Sequence, residues 1–421
     1  MPEPTSSAAP AASAPRPALM PLETALATLL SKAAPTTATE DVPTFEADGR
    51  VLAQDVVSGL TVPPHDNSAM DGYAVRGADC AAAGAELPVS QRIPAGSVGM
   101  PLAAGSVARI FTGAPIPEGA DAVVMQEDVA AIAGTDRVRI GIVPAPGQWI
   151  RRAGEDVARG DVVLARSARL TPAALGLAAS VGLDRLRVAK RPRVALLSTG
   201  DELVMPGEVA PEAMKPGTIY NSNRFFMRAL LARLGCEVTD LGLVPDRLEA
   251  TVAALRTAAA SNDLIVTTGG VSVGEEDHIR VAIESLGELS LWSLAIKPGK
   301  PFAYGRIGDA HVTGLPGNPV SSFMTFLMLV RPFVLRLQGV EHVEPHAVPM
   351  RVDADWPRAD RRREFLRARR NAAGGLDLFP NQSSGVLTSV VWGDGVIDTP
   401  AGQPFRRGDT VRFIPFESLL A

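Results

Sequence analysis

The chain reads as a multidomain α/β protein, with a central parallel-sheet domain over 191–340 and smaller helical and β-rich parts around it. Three observations predict this. From Arg193 to about Val340, short apolar runs alternate with segments of helical period, the pattern of parallel strands joined by crossover helices. Between Pro63 and Trp149 the sequence is dense in Gly and Pro, and its apolar runs at 107–111 and 122–125 have strand length. At 421 residues the chain exceeds one ordinary core and divides into roughly two to four domains.

Taken in order, residues 1–19 are rich in Ala, Pro and Ser. They lack the basic start and compact apolar core of a signal peptide, so they read as a disordered tail. Leu22, Ala25, Leu26, Leu29, Leu30 and Ala33 recur at helical spacing, which predicts an amphipathic helix near Pro21. Residues 20–62 and 150–190 are grouped as an N-terminal linker domain. In its second piece Thr171-Pro172 offers an N-cap and a first-turn proline, Leu175, Ala178 and Ala179 face inward, and Gly182 follows the end. Residues 63–149 form an inserted β-rich domain. In 191–340, RVALLS is a strand, 223–234 a helix stopped by Gly235, CEVTDLGLV a strand, and 246–260 a helix with Leu248, Val252, Leu255 and Ala259 on one stripe. LIVTT, LWSLAI, FAYG and HVTG are further strands, and a long helix begins near Pro319 with a bend at Pro332. Residues 341–421, punctuated by glycine turns at 373–375, 393–395 and 407–409, read as a small C-terminal β domain.

Composition narrows the function classes. A net charge of −5 argues against a nucleic-acid surface. The arginine-dense stretch RADRRREFLRARR (358–370) reads as a solvated strand face, with oxyanion contact as the alternative and no choice possible among Arg363, Arg367 and their neighbours. Cys80 and Cys236 are far apart, so neither a disulfide framework nor a thiolate metal site is expected. His342 and His346 flank Pro345 and read as linker surface. The apolar run at 323–330 is too short to span a bilayer. The expectation is a cytoplasmic protein with no membrane and no nucleic-acid partner.

Chemistry concentrates at 264–280, LIVTTGGVSVGEEDHIR. A buried strand runs into a loop holding Gly269, Gly270, Ser272 and Gly274, and then into a helix start crowded with Glu275, Glu276 and Asp277. Such glycines admit an anion to backbone N–H groups, whereas the acids fit a cation bridging to that anion, or simply the helix dipole. The spacing is not G-x-G-x-x-G, so a dinucleotide fingerprint is excluded. Gly200-Asp201-Glu202 and Pro245-Asp246-Arg247 follow two other strands, and open α/β sheets bind ligands at those carboxyl ends. Helix capping or first-turn charge is the structural alternative for Glu202 and Asp246, and Asp246 is expected to open a helix. In IKPGKP, Pro298 and Pro301 fix the backbone while Lys297 and Lys300 flank a tight turn able to hold a compact dianion. Leu315-Pro316-Gly317-Asn318-Pro319 leads into a helix whose free N–H groups, with Ser321, offer a second anion site.

The block HDNSAMDGYAV places two carboxylates, an amide and a hydroxyl between Asp66 and Asp71, which turn chemistry alone explains. With its flanking prolines, PPHDNSAMDGYAV resembles the signature of the MoeA-type molybdopterin molybdenumtransferases, related to the E domain of gephyrin. Four further blocks match in order: FTGAPIPEGADAVVMQED, LLSTGDEL, TTGGVSVGEEDH, and IKPGKPFAYG followed by GLPGNPVSS. The resemblance covers nearly all the chain after residue 20. It implies a molybdopterin-binding central domain and an enzyme that inserts molybdate into adenylylated molybdopterin with Mg²⁺-dependent release of AMP. It further implies that Asp246 and Asp277 hold the cation, that Glu202 is a third acid, and that Lys297 and Lys300 bind molybdate. Gly269, Gly270, Ser272, Pro301, Pro316, Pro319 and Ser321 would line the substrate site.

Asp66, Thr112 and Asp156, by the same match, would act from the N-terminal half across the interface of a homodimer with a shared active site. A molybdopterin adenylyltransferase and downstream molybdoenzyme maturation proteins are the implied partners. One departure is Ser293, where many relatives carry Lys. Two rival readings are the adenylyltransferase itself, which resembles the α/β domain alone, and a non-catalytic gephyrin-like scaffold.

Overall fold

The computed structural model describes residues 19–269 and 278–420, in two compact units, one of residues 1–39 and 189–421 and the other of residues 40–188. The tail expected over 1–19 lies, but for residue 19, outside the described residues, as do the residues between Gly269 and His278.

The first unit is built on a six-stranded sheet in the order Glu237–Val244, Arg193–Thr199, Leu264–Thr268, Ala310–Leu315, Pro301–Ile307, Glu288–Ser293. The first four strands are parallel and Pro301–Ile307 runs antiparallel to both of its neighbours, so the predicted parallel sheet is a mixed one. Period-two alternation sends Val194, Leu196, Leu264 and Val266 into one core and Ala195, Leu197 and Ile265 into another, which is why these strands are apolar throughout. Chain order reverses between Arg193–Thr199 and Leu264–Thr268, making their carboxyl ends the topological switch point.

Helices cover both faces. Asn223–Arg233 ends at Gly235, whose φ of 79° is the left-handed stop the sequence predicts. Leu248–Ser261 buries Thr251, Leu255 and Ala258, a stripe rotated from the expected one, and Leu248 is exposed. The long helix runs Pro319–Leu337, with a π-helical turn at Phe326–Val330 just before Pro332. By length and hydropathy alone this helix could cross a membrane, being longer than the 323–330 run suggests. Yet 94% of it is buried inside the chain, and Arg331 within it donates to the carbonyl oxygens of Leu419 and Val343. Helix Leu22–Leu30, which the sequence pattern groups with residues 40–62, buries Leu22, Ala25 and Leu29 in this same core.

The C-terminal strands form a second sheet, ordered Ile296–Lys297, Arg363–Arg370, Gly395–Thr399, Thr410–Pro415, Val348–Arg351, with Leu376–Leu378 paired beside Arg363–Arg370. The short strand Ile296–Lys297 runs parallel to Arg363 and Glu364, so the IKPGKP turn is held by the C-terminal sheet.

In the second unit a six-stranded β sheet is ordered Ala122–Met125, Gly72–Val75, Val107–Ile110, Ala85–Ile93, Arg137–Ile140, Val129–Ala131. Gly72 is obligatory there, because a Cβ would lie 2.0 Å from the Val124 carbonyl oxygen. A separate small core gathers Ala47, Leu52, Leu170, Ala178 and Val188. Its helix, Pro172–Ser180, is capped by the Thr171 hydroxyl as predicted, although Ala179 faces solvent.

Candidate functional site

The carboxyl ends of the central strands open into a cleft of about 820 Å³. Thr199, Thr268 and Gly269 form its floor, and Glu202 stands on the loop after the first of these strands. Its rim carries the turn Lys297–Pro301 with Pro316, Pro319 and Ser321, and the C-terminal sheet brings Arg362, which shares Asp360 with Lys297, and the loop 382–384. A larger cavity of about 990 Å³, lined by Pro21, Glu23, Arg363, Asp398 and Phe405, holds none of the predicted residues but Arg363, one candidate of the arginine stretch. Size alone does not select the site.

The IKPGKP turn is shaped by its small residues. Gly299 sits at φ 112°, and a Cβ there would lie 2.5 Å from Thr325 Oγ1 of the long helix. That close approach lets the turn pack on the helix and project both lysines. The two differ. Lys300 is exposed, with no side-chain partner among the described residues, whereas Lys297 Nζ lies 3.3 Å from Asp360 Oδ2 and 3.2 Å from Glu364 Oε1. Glu364 is 1% exposed, and its other oxygen accepts from Trp356 Nε1 and the Asp360 N–H, both at 2.9 Å. Arg362 forks onto Asp360 with two 3.0 Å bonds, and these hold the Asp360 carboxyl well below the usual carboxylate range.

Two expectations are corrected here. Helix Pro319–Thr325 offers fewer free N–H groups than expected: Pro319 has none, and the Val320 N–H donates to the Ser384 carbonyl at 2.9 Å, which leaves Ser321 as the residue of that turn facing the cleft. The arginine stretch is a solvated face only in part: Arg358, Arg361, Arg369 and Arg370 are exposed, but its middle is buried. Arg367 is fully buried, donates to Ser389 Oγ and the Phe365 carbonyl, and burial pushes its guanidinium down to about 10. Arg363 pairs with Asp398, which leaves Arg362 as the arginine of the stretch that lines the cleft.

Of the predicted residues, Glu202, Gly269, Lys297, Lys300, Pro301, Pro316, Pro319 and Ser321 line this one cleft. Asp246 is half-buried beyond strand Glu237–Val244, not among the lining residues, and it does not open a helix: Arg247 caps Leu248–Ser261. Ser293 is likewise not a lining residue. Gly270, Ser272 and Asp277 lie outside the described residues. Among the described residues, no three His, Cys, Asp or Glu side chains form a group that could hold a metal. Sequence reasoning did not single out Arg362 among the arginines of 358–370, and it missed Asn223 and the Gln382-Ser383-Ser384 loop. Asn223 Nδ2 bonds the Gly317 carbonyl at 2.7 Å and ties the first turn of its helix to the Pro316–Pro319 loop.

The remaining predicted residues belong to the second unit. Asp66 accepts from the Ala153 N–H at 2.9 Å and from Arg152, and the Ala153 bond is the main reason its carboxyl titrates low. Thr112 donates both its N–H and its hydroxyl to Asp71 Oδ1 at 2.8 Å. Asp156 is exposed, its N–H bonded to the Val62 carbonyl. The FTGAP and RAGED turns are thus stitched to the HDNSAMDG segment by a carboxylate near each of its ends.

Family models match three successive stretches: "MoeA N-terminal region (domain I and II)" over residues 20–182, "Probable molybdopterin binding domain" over 195–336, and "MoeA C-terminal region (domain IV)" over 349–416. The chain belongs to the MoeA family. The resemblance read from the five sequence blocks is borne out. A molybdopterin molybdenumtransferase of Haemophilus influenzae is 44% identical over 322 residues, covering 76% of this chain and 78% of that one. Molybdopterin molybdenumtransferase 2 of Mycobacterium tuberculosis is 38% identical over 373 residues, covering 85% of this chain and 90% of the relative. The crystal structure of the molybdopterin biosynthesis MoeA protein from Pyrococcus horikoshii OT3 superposes with a TM-score of 0.82 at 31% identity, covering 94% of this chain and all of that one. The MoeA architecture, an α/β domain with accessory β domains, is therefore that of this chain.

Proposed function

We propose that this MoeA-family chain is an enzyme of molybdenum cofactor biosynthesis, a molybdopterin molybdenumtransferase like the relatives that carry that name. The observation that carries the reading is the cleft itself. It joins a glycine-bearing strand end suited to phosphate with cationic side chains suited to a compact oxyanion, Lys300 above all. In this reading adenylylated molybdopterin lies along Gly269 and the Pro316–Pro319 loop, and molybdate is held at the Lys297, Lys300 and Arg362 wall beside Ser321. Molybdate enters the dithiolene and AMP is released.

Mg²⁺ typically takes one or two carboxylates plus phosphate oxygens, so single acids near a bound phosphate are the donor set it needs. Asp246 and Asp277 would hold it, with Glu202 as a third acid, and it would polarise a phosphate oxygen as a Lewis acid. The chain's own residues fix the phosphate and the oxyanion against each other. Asp66, Thr112 and Asp156 would complete the cleft from a second copy in a homodimer working in the cytoplasm. A molybdopterin adenylyltransferase is the implied supplier of the substrate, with molybdoenzyme maturation proteins downstream.

The direct test is turnover of adenylylated molybdopterin by the full chain with molybdate and Mg²⁺, followed as AMP release. Lack of turnover under conditions where a known relative works would favour the scaffold reading. Formation of the adenylylated pterin from ATP would favour the adenylyltransferase. Asp277→Ala is expected to remain folded and to lose Mg²⁺-dependent AMP release; unchanged release would remove Asp277 from the cation site.

A further inference from the structure

The two lysines of the IKPGKP turn are not equivalent, and the difference lies behind the wall. Lys297 and Arg362 face the cleft, whereas Asp360 and Glu364 are not lining residues and stand on its far side. Each cation has a carboxylate at hydrogen-bond or ion-pair distance: Arg362 on Asp360 at 3.0 Å, and Lys297 between Asp360 at 3.3 Å and Glu364 at 3.2 Å. Two positive charges are thus matched by two negative ones. Among the described residues Lys300 has no such acid beside it, and Glu202 is the one acid that lines the cleft itself.

A wall built only for tight anion capture has no use for a carboxylate buried to 1% behind its lysine. Glu364 is fixed in that place independently of the lysine, because Trp356 Nε1 and the Asp360 N–H occupy its other oxygen. Register does the rest: Lys297 pairs with Glu364 across the parallel strands, so the C-terminal sheet delivers the acid to the cation.

We propose that Asp360 and Glu364 are affinity-setting residues that partly neutralise the oxyanion wall, so that the cleft binds the incoming oxyanion weakly enough to surrender it to the pterin. The inference rests on the reading of this wall as the oxyanion site. Binding two fixed acids to two cations leaves the lysine and arginine oriented while lowering the potential an anion meets. Removing one of the acids therefore tightens binding, the opposite of what loss of a structural ion pair does.

The experiment is calorimetric titration of sodium molybdate into the full chain and into Asp360→Asn, Asp360→Glu and Glu364→Gln, with thermal unfolding of each. Gln at 364 retains an oxygen for Trp356 and the Asp360 N–H. A unit negative charge removed within a side chain's length of a bound dianion is expected to tighten Asp360→Asn roughly three- to tenfold, with the gain shrinking in high salt. Asp360→Glu, which keeps the charge, is expected to bind like the parent. Unchanged or weaker binding in an Asp360→Asn chain that melts like the parent overturns the proposal. Should Asp360→Asn unfold, unchanged or weaker binding in a folded Glu364→Gln chain overturns it equally. Absence of molybdate binding by the parent chain overturns the oxyanion reading itself, and this inference with it.

Discussion

The cleft of the α/β unit and the HDNSAMDG patch of the second unit are both made of charged and polar loop residues, yet they use them in opposite ways. In the cleft, Lys300 and Glu202 remain exposed, and the acids that pair with Lys297 and Arg362 stand behind the lining. In the patch, the acids are consumed by their own neighbourhood, Asp66 by Ala153 and Arg152, and Asp71 by Thr112. A carboxylate accepting backbone N–H groups organises turns. The first region is arranged around something to be bound, and the second around its own shape.

The sharpest ways to break this contrast strike each unit's own framework. Gly72→Ala puts a methyl carbon 2.0 Å from the Val124 carbonyl in the β sheet that carries the patch. A loss of about 3 kcal/mol is expected in urea unfolding of the second unit, and an unchanged midpoint would show that the sheet edge can yield. The corresponding weak point of the first unit is His311, buried on its sheet and bonded through Nδ1 to Tyr304 Oη at 2.9 Å. Burial lowers its pKa from 6.5 to about 4. Between those values the unfolded chain binds more protons, so stability falls as pH drops through that window, by up to ~3 kcal/mol below pH 4. His311→Gln is expected to flatten that slope.

Lys300→Ala comes next. An exposed cation with no acid partner among the described residues is lost without touching a packed group, so the fold stays intact while the half-saturating molybdate concentration rises at least about tenfold. Lys297→Ala is expected to cost less, because its charge is already shared with two acids. Equal losses from the two, measured by the same titration, would erase the distinction between them.

How much of this was legible in the sequence follows from where the information sits. The strands 193–199 and 264–268, the Gly269 end and the IKPGKP turn announce themselves through local apolar runs and Gly/Pro punctuation. Eight of the predicted residues meet in one cleft for that reason. Arg362 and its acids were hidden because their role depends on the pairing of Ile296–Lys297 with Arg363–Arg370, a long-range register that no local pattern encodes. The arginine stretch looked solvated because five of its residues from 361 to 369 are arginine. The usable signal was the uncharged run Phe365-Leu366 at the strand's middle: residues 364–368 are buried on both faces, and Arg367 is carried in with them. Asp246 misled for the opposite reason, since an acid before an apolar periodic run mimics an N-cap, and the helix begins one residue later behind Arg247.

The smallest effect is the one that decides how the patch is to be read. Asp66 is partly exposed, so removing its charge by Asp66→Asn is expected to cost no more than about 1 kcal/mol after solvent screening. Its carboxyl is depressed in the folded chain, so its contribution is fully present above the unfolded value near 3.8 and is lost as pH falls through the folded one. That window lies below the His311 window, and the two separate in a pH series of unfolding midpoints. Should Asp66→Asn keep the parent's stability and molybdate binding yet lose turnover, Asp66 acts on substrate, as the proposed shared site requires. Should turnover fall only in proportion to the folded fraction, Asp66 is a turn-stitching residue and the second unit's contribution rests on the exposed Asp156.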